Sequence, residues 1–129
     1  MSVFEDQKKF MLAGDQTVGV FNEDQFKLYV NLIDEEVDEL KYAMMVNDRV
    51  ETLDAILDIM VVSLGALHSL GVNPEGAWNE VIRSNMSKVD PTTGKMLKRD
   101  DGKIIKHSDW SAPELEQFIY LIAGMNVND

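Results

Sequence analysis

The sequence predicts an all-α fold, a helical bundle in one domain over residues 1–129 with a short C-terminal loop or β-hairpin inserted at about residues 85–110. Apolar residues recur at helical spacing through most of the first 83 residues. Capping residues precede these stretches, and all three prolines lie in the second half of the chain. A length of 129 residues is ample for one domain and short for two. Together these observations favour a helical bundle.

Four helices are predicted in the first part of the chain, at about residues 3–12, 23–46, 50–70 and 74–83. The first and third end at Gly14 and Gly71, a residue type that often ends helices because it accepts a left-handed backbone. The second follows Asn22, and Gln25 three residues later completes a capping-box pattern. The fourth opens at Asn73-Pro74, a capping residue followed by a proline in the first turn.

The segment after the fourth helix has a different pattern. Two short extended runs, 96–98 and 104–106, flank Asp100-Asp101-Gly102, and Asp-Gly between such runs predicts a small β-hairpin. Farther along, Ser111 to Glu114 forms another capping box, which predicts a last helix continuing to about Ala123. The expected order is therefore four helices, a hairpin and a fifth helix.

Composition excludes several classes of function. Acidic residues number 23 against 12 basic ones, and the net charge of −11 argues against nucleic-acid binding because phosphates would be repelled. The chain has no cysteine, which excludes disulfides, thiolate metal sites and a cysteine nucleophile. No signal-peptide pattern and no apolar run of about 18 residues is visible, so we expect a cytoplasmic protein without a membrane partner.

Two acidic residues occupy helix faces that are otherwise apolar. On the second predicted helix, Glu36 lies in the middle of the stripe that contains Tyr29 and Ile33. On the third, Asp58 is the only polar residue in the run from Ala55 to Val62. A carboxylate that faces a core is unfavourable unless it is paired or bound to a metal.

Packing of these two helices would bring their acids together. Helices joined by a short turn pack antiparallel, which places Glu36 and Glu39 opposite Asp54 and Asp58. Four carboxylates cannot all ionise in one cleft without a cation. Oxygen ligands without cysteine or converging histidine select Mg²⁺, Mn²⁺ or Ca²⁺. The alternative is a solvated acidic face, which stays open for residues such as Glu51.

A di-iron carboxylate bundle is the rival metal site, and it would need a Glu-x-x-His motif on two helices. The two histidines are His68 and His107. Gly65 and Ile104 stand three residues before them, so the sequence disfavours this class of site.

Two acidic motifs carry a resemblance to a known family. Residues 35–39, Glu-Glu-Val-Asp-Glu, followed by residues 51–54, Glu-Thr-Leu-Asp, resemble the EExxE…ExxD signature of the MazG-like, all-α nucleoside triphosphate pyrophosphohydrolases. The resemblance is to the phosphoribosyl-ATP pyrophosphohydrolase-like branch in particular. The tract from Ser84 to Lys88 and the one from Asp101 to Lys106 extend it over roughly residues 25–113.

Two departures from the family pattern bear on the metal ligands. Residues 40–50 separate Glu39 from Glu51, a gap slightly shorter than the family's usual one. Both Asp54 and Asp58 suit the last ligand position, Asp54 by its ExxD spacing and Asp58 by the apolar run around it. Both aspartates therefore stay candidates.

The resemblance implies hydrolysis of a (d)NTP between its α and β phosphates to a nucleoside monophosphate and pyrophosphate, in nucleotide-pool housecleaning. It implies Mg²⁺ as the cofactor, with Mn²⁺ as an alternative. The residues expected to hold metal are Glu36, Glu39, Glu51, Asp54 and Asp58. Either Glu35 or Glu39 would orient or deprotonate the attacking water.

Basic residues concentrate near the predicted hairpin, with seven of the 12 between Arg83 and Lys106. This concentration predicts a loop that binds the distal phosphates, and a solvated hairpin with lysine-protected edges is the alternative. The residues expected to bind substrate are Asn85, Lys88, Lys98, Arg99, Lys103, Lys106 and Trp110. Trp110 would either stack on a base or anchor the last helix.

The resemblance also implies a homodimer or homotetramer, since sites in such enzymes use helices packed across subunits. Two functions from other classes stay open. A non-catalytic helical binding or assembly module predicts no Mg²⁺ binding. A metal-stabilised structural bundle predicts metal binding without turnover.

Overall fold

The computed structural model describes residues 2–122 and 125–126. Four α-helices come first: α1 (Val3–Ala13), α2 (Glu23–Met45), α3 (Arg49–Ser69) and α4 (Pro74–Met86). An antiparallel hairpin follows, made of β1 (Leu97–Lys98) and β2 (Ile104–Ile105). A 3₁₀ helix (Glu116–Phe118) then precedes a second antiparallel pair, β3 (Tyr120–Ile122) and β4 (Met125–Asn126). The predicted all-α class, its four helices and the first hairpin are confirmed. Among the residues described, no helix is both long and apolar enough to cross a lipid bilayer.

A side chain caps the N-terminus of each α-helix. Ser2, Asn22, Asp48 and Asn73 each accept a hydrogen bond from the backbone N–H three residues later. Such a cap stabilises a helix by about 1 kcal/mol relative to alanine. Local chemistry therefore sets the helix starts, within a residue of the starts that the sequence predicted.

The capping box predicted at the start of α2 forms only in part. The Gln25 backbone N–H donates to Asn22 Oδ1 at 3.1 Å. The Gln25 side chain does not return to the Asn22 backbone, because the Asn22 N–H already donates to the Ser69 carbonyl at 3.0 Å. Instead, Gln25 Nε2 donates to the Thr17 carbonyl at 2.7 Å and to Ser69 Oγ at 2.8 Å. Gln25 thus ties the loop before α2 to the end of α3.

Helices α2 and α3 form an antiparallel helical hairpin, the most extensive helix pairing among the described residues. Asn47 makes the turn between them with a left-handed φ of 58°. Tyr29 packs against α3 at Gly65, where an added Cβ would lie 2.2 Å from Tyr29 Cε1. Met11 of α1 and Ala66 of α3 complete the buried cluster around the Tyr29 ring. This close approach at Gly65 fixes how the two helices lie against each other.

The predicted last helix, from the Ser111–Glu114 capping box towards Ala123, is wrong for the described residues, and Ala123 lies outside them. The segment is irregular before the 3₁₀ helix. Ser111 Oγ accepts a hydrogen bond from Arg83 Nη1 at 2.7 Å rather than from a helix of its own. The Glu114 N–H, which Ser111 would have capped, donates to Glu80 Oε2 at 2.6 Å. Both halves of the expected capping box are therefore engaged by α4.

The same C-terminal segment lies along the link between α3 and α4. The Asn73 N–H donates to the Phe118 carbonyl, and the Tyr120 N–H donates to the Gly71 carbonyl, both at 2.8 Å. In an α-helix the Phe118 carbonyl and the Tyr120 N–H would be used by hydrogen bonds within that helix. Their pairing with Asn73 and Gly71 is therefore a second reason that the segment forms no α-helix.

Candidate functional site

Three carboxylates converge between α2 and α3. Glu36 and Glu39 lie three residues apart on α2 and therefore share one face, and Asp58 faces them from α3. One carboxylate oxygen of each residue lies within 4.8 Å of the other two. Glu36 and Asp58 are half-buried, whereas Glu39 is exposed. The structure thus brings together three of the five residues that the sequence predicted to hold metal.

The carboxyl groups of this cluster resist ionisation together. Burial, a hydrogen bond with Glu39 and the nearby charges of Glu39, Asp58 and Asp54 raise the pKa of Glu36 to about 7. Burial and the charges of Asp54 and Glu39 also raise the pKa of Asp58, and a hydrogen bond that the protonated Asp58 carboxyl shares with Asp54 adds to the effect. The cluster therefore favours a bound proton or another cation among its acids.

One buried oxygen of the cluster lacks a partner. Glu36 Oε2 is fully shielded from solvent and has no hydrogen-bond partner among the residues that the structure describes. A buried carboxylate oxygen without a donor is costly, and a metal ion would satisfy it. All the converging ligand atoms are carboxylate oxygens, the type that Mg²⁺, Mn²⁺ and Ca²⁺ prefer. The residues present therefore fit a hard divalent cation.

The other predicted acids lie around this cluster without joining it. Asp54, one turn before Asp58 on α3, is hydrogen bonded to the Asp58 side chain. Between the two aspartates that the sequence left open, Asp58 belongs to the converging group and Asp54 adjoins it. Glu51 is exposed in the first turn of α3, where its N–H donates to Asp48 Oδ1 at 3.0 Å. Glu35 is exposed on α2 outside the group.

A cleft of about 500 Å³ opens beside the cluster, between the last turns of α2 and the first turns of α3. Its volume lies within the range of roughly 300–1,000 Å³ that is usual for small-molecule sites. The residues that line it are Asp38, Glu39, Tyr42, Ala43, Val46, Asp48, Glu51, Asp54 and Ala55. Glu39, Glu51 and Asp54 were predicted from the sequence, whereas Asp38 and Tyr42 were not. The signal that could have found Tyr42 is its position three residues after Glu39 on the same helix face.

The predicted substrate-binding residues lie elsewhere in this chain, on the end of α4, on the hairpin and at Trp110. None of them lines the cleft, and no hydrogen bond or ion pair within residues 2–122 and 125–126 joins them to the acidic cluster. Arg99 pairs with Asp101 in the hairpin turn at 2.7 Å. Lys106 Nζ lies 4.0 Å from the centre of the Trp110 ring. Asn85, Lys98 and Lys103 are exposed, and Lys88 is half-buried.

Trp110 is half-buried beneath Lys106, and its ring N–H is shielded from solvent. No hydrogen-bond partner for this N–H is found in the described part of the chain. The helix that Trp110 was expected to anchor does not form. Its expected contact with substrate stays a prediction.

Arg83, one of the seven clustered basic residues, is hydrogen bonded to residues of α4 and of the C-terminal segment. Arg83 Nε donates to Glu80 Oε1 at 2.6 Å, and Nη2 donates to the Ala112 carbonyl at 3.1 Å. The hydrogen bond from Arg83, together with one from the Glu114 backbone, lowers the pKa of Glu80 to about 2. Arg83 therefore holds the C-terminal segment on α4.

Neither histidine contributes to the acidic cluster among the described residues. His68 is buried, and its Nε2 lies 2.8 Å from the Phe4 carbonyl, to which it donates. His107 lies between Asp90 and Asp109, at 3.8 Å and 3.7 Å from their carboxylates. The described cluster is thus an all-carboxylate site, unlike the Glu-x-x-His centres of di-iron bundles.

The chain also matches a known protein family. A model of the phosphoribosyl-ATP pyrophosphohydrolase family matches residues 7–85. The matched span contains α2, α3, every predicted metal ligand and the cleft, and it ends before the hairpin. No curated protein matches the chain.

Proposed function

Because the chain belongs to the phosphoribosyl-ATP pyrophosphohydrolase family, we propose that it is a divalent-metal-dependent enzyme that cleaves a (d)NTP between the α and β phosphates. The products would be a nucleoside monophosphate and pyrophosphate. Membership of this family carries pyrophosphohydrolase chemistry on a nucleotide-like substrate. The (d)NTP substrate, a cytoplasmic housecleaning role and Mg²⁺ as the ion, with Mn²⁺ as the alternative, belong to our proposal.

The observation that carries the proposal is the convergence of Glu36, Glu39 and Asp58 around the unpartnered Glu36 Oε2, at the edge of a cleft. These three carboxylates would hold the cation, with Asp54 and Glu51 beside them at the cleft. A bound Mg²⁺ would polarise phosphoryl oxygens and lower the pKa of an attacking water.

A carboxylate that is not fully committed to the cation would handle the water proton. Glu39 and Glu35 are both exposed on α2, and Glu39 also lines the cleft. Either carboxylate would accept a hydrogen bond from the water and then its proton as the water attacks phosphorus. Glu36 is less suited to this role because it is half-buried and its Oε2 is shielded from solvent.

Substrate phosphates need positive charge as well. We propose that Asn85, Lys88, Lys98, Arg99, Lys103, Lys106 and Trp110 contact the substrate. Within one chain these residues do not line the cleft, so the hairpin would reach it by moving or from a second copy.

We propose a homodimer or homotetramer for this reason and because of exposed apolar surface. Phe10 of α1 is 64% exposed, and Leu53 of α3 is 59% exposed. An apolar groove of about 470 Å³ between α1 and α3 includes Phe10, Leu57 and Met60. Exposed apolar grooves of this kind are typical of surfaces that pack against another protein.

Phosphoribosyl-ATP itself is a second candidate substrate, and the family description favours it. The same acidic cluster could act on it, because hydrolysis to release pyrophosphate places the same demands on the metal site. A (d)NTP and phosphoribosyl-ATP differ in the groups that are attached beyond the phosphates.

Incubation of the pure protein with each (d)NTP and with phosphoribosyl-ATP, in Mg²⁺, tests the proposal. We expect pyrophosphate and the matching monophosphate by ³¹P NMR, and at least a hundredfold loss of turnover in Glu36→Gln. Release of orthophosphate would contradict α–β cleavage. Metal binding without turnover of any substrate would favour a structural metal site, and no metal binding would favour a non-catalytic module.

A further inference from the structure

Tyr42 is an exposed aromatic residue in the wall of the cleft. It lies in the last turn of α2, three residues after Glu39, and 63% of its surface is exposed. Within residues 2–122 and 125–126, no hydrogen bond or ring contact holds its side chain. A large aromatic ring that lines a cleft without an internal partner is available to a ligand.

The cleft has two chemically different ends. Glu39 and Asp54 supply carboxylates next to the converging cluster, and Glu51 lies farther from it, in the first turn of α3. Tyr42 in the last turn of α2 and Val46, the residue that follows this helix, supply ring and aliphatic surface towards the turn between the helices. A helix rises about 1.5 Å per residue, so Tyr42 lies about 4.5 Å and Val46 about 10.5 Å beyond Glu39 along the axis.

This order of groups matches the order of groups in a nucleotide. Phosphates bridged to the carboxylates by a cation would lie at the Glu39 end, and the sugar would span the short step to Tyr42. A flat ring is the part of the molecule that remains, and it would reach the Tyr42 and Val46 end. Asp48, which also lines this end, is committed to the Glu51 N–H at 3.0 Å.

We propose that Tyr42 is the stacking surface for the purine or pyrimidine ring of the substrate, with Val46 against the edge of that ring. The inference rests on the proposed function and names the base subsite of the same cleft. Stacking on an aromatic side chain is tolerant of base identity because every base has a π-face. Tyr42 would therefore contribute affinity for nucleotides as a class.

Steady-state kinetics of three variants test the subsite. Tyr42→Leu keeps apolar bulk and helix propensity but removes the ring, and we expect KM for a nucleotide to rise about tenfold with kcat within twofold. Tyr42→Phe keeps the ring, so its KM should stay within twofold of the wild type. Met45→Ala is the matched control, because Met45 is 71% exposed in the same turn and does not line the cleft.

Inorganic tripolyphosphate provides a ligand with phosphates and no base. Its inhibition constant in Mg²⁺ should stay within twofold in Tyr42→Leu. An unchanged nucleotide KM in Tyr42→Leu would overturn the inference. So would an equal loss of affinity for nucleotide and tripolyphosphate, because that result would show a general disturbance of the cleft.

Failure of the proposed function would be seen separately, as a wild-type protein that releases no pyrophosphate from any nucleotide. Calorimetric titration then tests the subsite directly, with ATP against tripolyphosphate in the wild type and in Tyr42→Leu. Loss of affinity for ATP alone supports the subsite, and equal affinities in the two proteins contradict it. Circular dichroism checks that the helices are intact, and Tyr42→Gln replaces Tyr42→Leu if they are not.

Discussion

The carboxyl group of Glu36 combines burial with two close acidic neighbours, Glu39 and Asp58. Its pKa in the folded, metal-free protein is raised from an ordinary 4.5 to about 7. The folded state therefore holds the Glu36 proton more tightly than the unfolded state does. Below about pH 4.5 Glu36 is protonated in both the folded and the unfolded state. The stability that its proton gives to the folded state is fully present there and is lost as pH rises through about 7.

We predict that Glu36→Gln raises the melting temperature of the metal-free protein at pH 8, because the amide removes a charge that the folded state disfavours. The gain should shrink as pH falls and vanish below about pH 4.5. Calorimetric melts in a chelator from pH 4 to 8 measure it.

Glu35→Gln is the matched control, since it removes an exposed carboxylate from the same helix. An equal gain in both variants would assign the effect to net charge instead of to burial at Glu36. Saturating Mg²⁺ should reverse the order at pH 8, because the wild type keeps the ligand that the variant has lost.

Single residues also show what the sequence could and could not predict. Glu36 and Asp58 stood out because a charge on an apolar helix face breaks the local pattern, and both are half-buried at the cluster. Tyr42 and Asp38 gave no such signal. An exposed residue can lie in a cleft or in open solvent with the same sequence pattern, and only the packing of α3 against α2 distinguishes the two.

At the scale of elements, the pairing of α2 with α3 depends on a residue without a side chain. An added Cβ at Gly65 would lie 2.2 to 2.6 Å from three atoms of the Tyr29 ring. Tyr29 is 3% exposed, and its hydroxyl is hydrogen bonded to Gln16, so the ring has little room to move.

We predict that Gly65→Ala destabilises the protein by about 1–3 kcal/mol, since overpacking at the ring outweighs the helix propensity that alanine gains. Urea denaturation measures the change in the free energy of unfolding. Gly14→Ala is the control, because the nearest atom to its new Cβ would lie at an ordinary 3.5 Å. A Gly65→Ala protein as stable as the control would contradict this account of the helix pair.

The helix starts depend on neighbouring residues, whereas the structure of the C-terminal segment depends on residues far away in the sequence. The four helix starts were predictable because each cap acts on a backbone group three residues away. The Ser111–Glu114 box has the same local pattern, but Glu80 and Arg83, about 30 residues earlier, bind its two groups instead. A capping pattern in the sequence does not show that distant residues compete for the same groups. The prediction of the last helix was wrong for this reason.

At the scale of the whole molecule, apolar surface on α1 and α3 supports our proposal of a homo-oligomer. We predict that Phe10→Glu and Leu57→Glu, which charge the groove between these helices, weaken self-association at least tenfold. Light scattering after size-exclusion chromatography measures the mass across a dilution series.

Leu115→Glu is the control for this prediction, since Leu115 is exposed and lies outside the groove. A wild-type protein that is monomeric at all concentrations would contradict the proposed assembly. Equal weakening by all three variants would place the contact outside the groove.

The position of the acidic cluster and its cleft along the chain also affects folding. The acids of the cluster and of the cleft all lie between Glu36 and Asp58, on one helical hairpin closed by the turn at Asn47. Contacts between residues so close in sequence form early and cost little loop-closure entropy. The acidic centre can therefore assemble as soon as α2 meets α3, before the C-terminal segment has docked on α4. Repulsion among its carboxylates would then slow that first step in the absence of a cation.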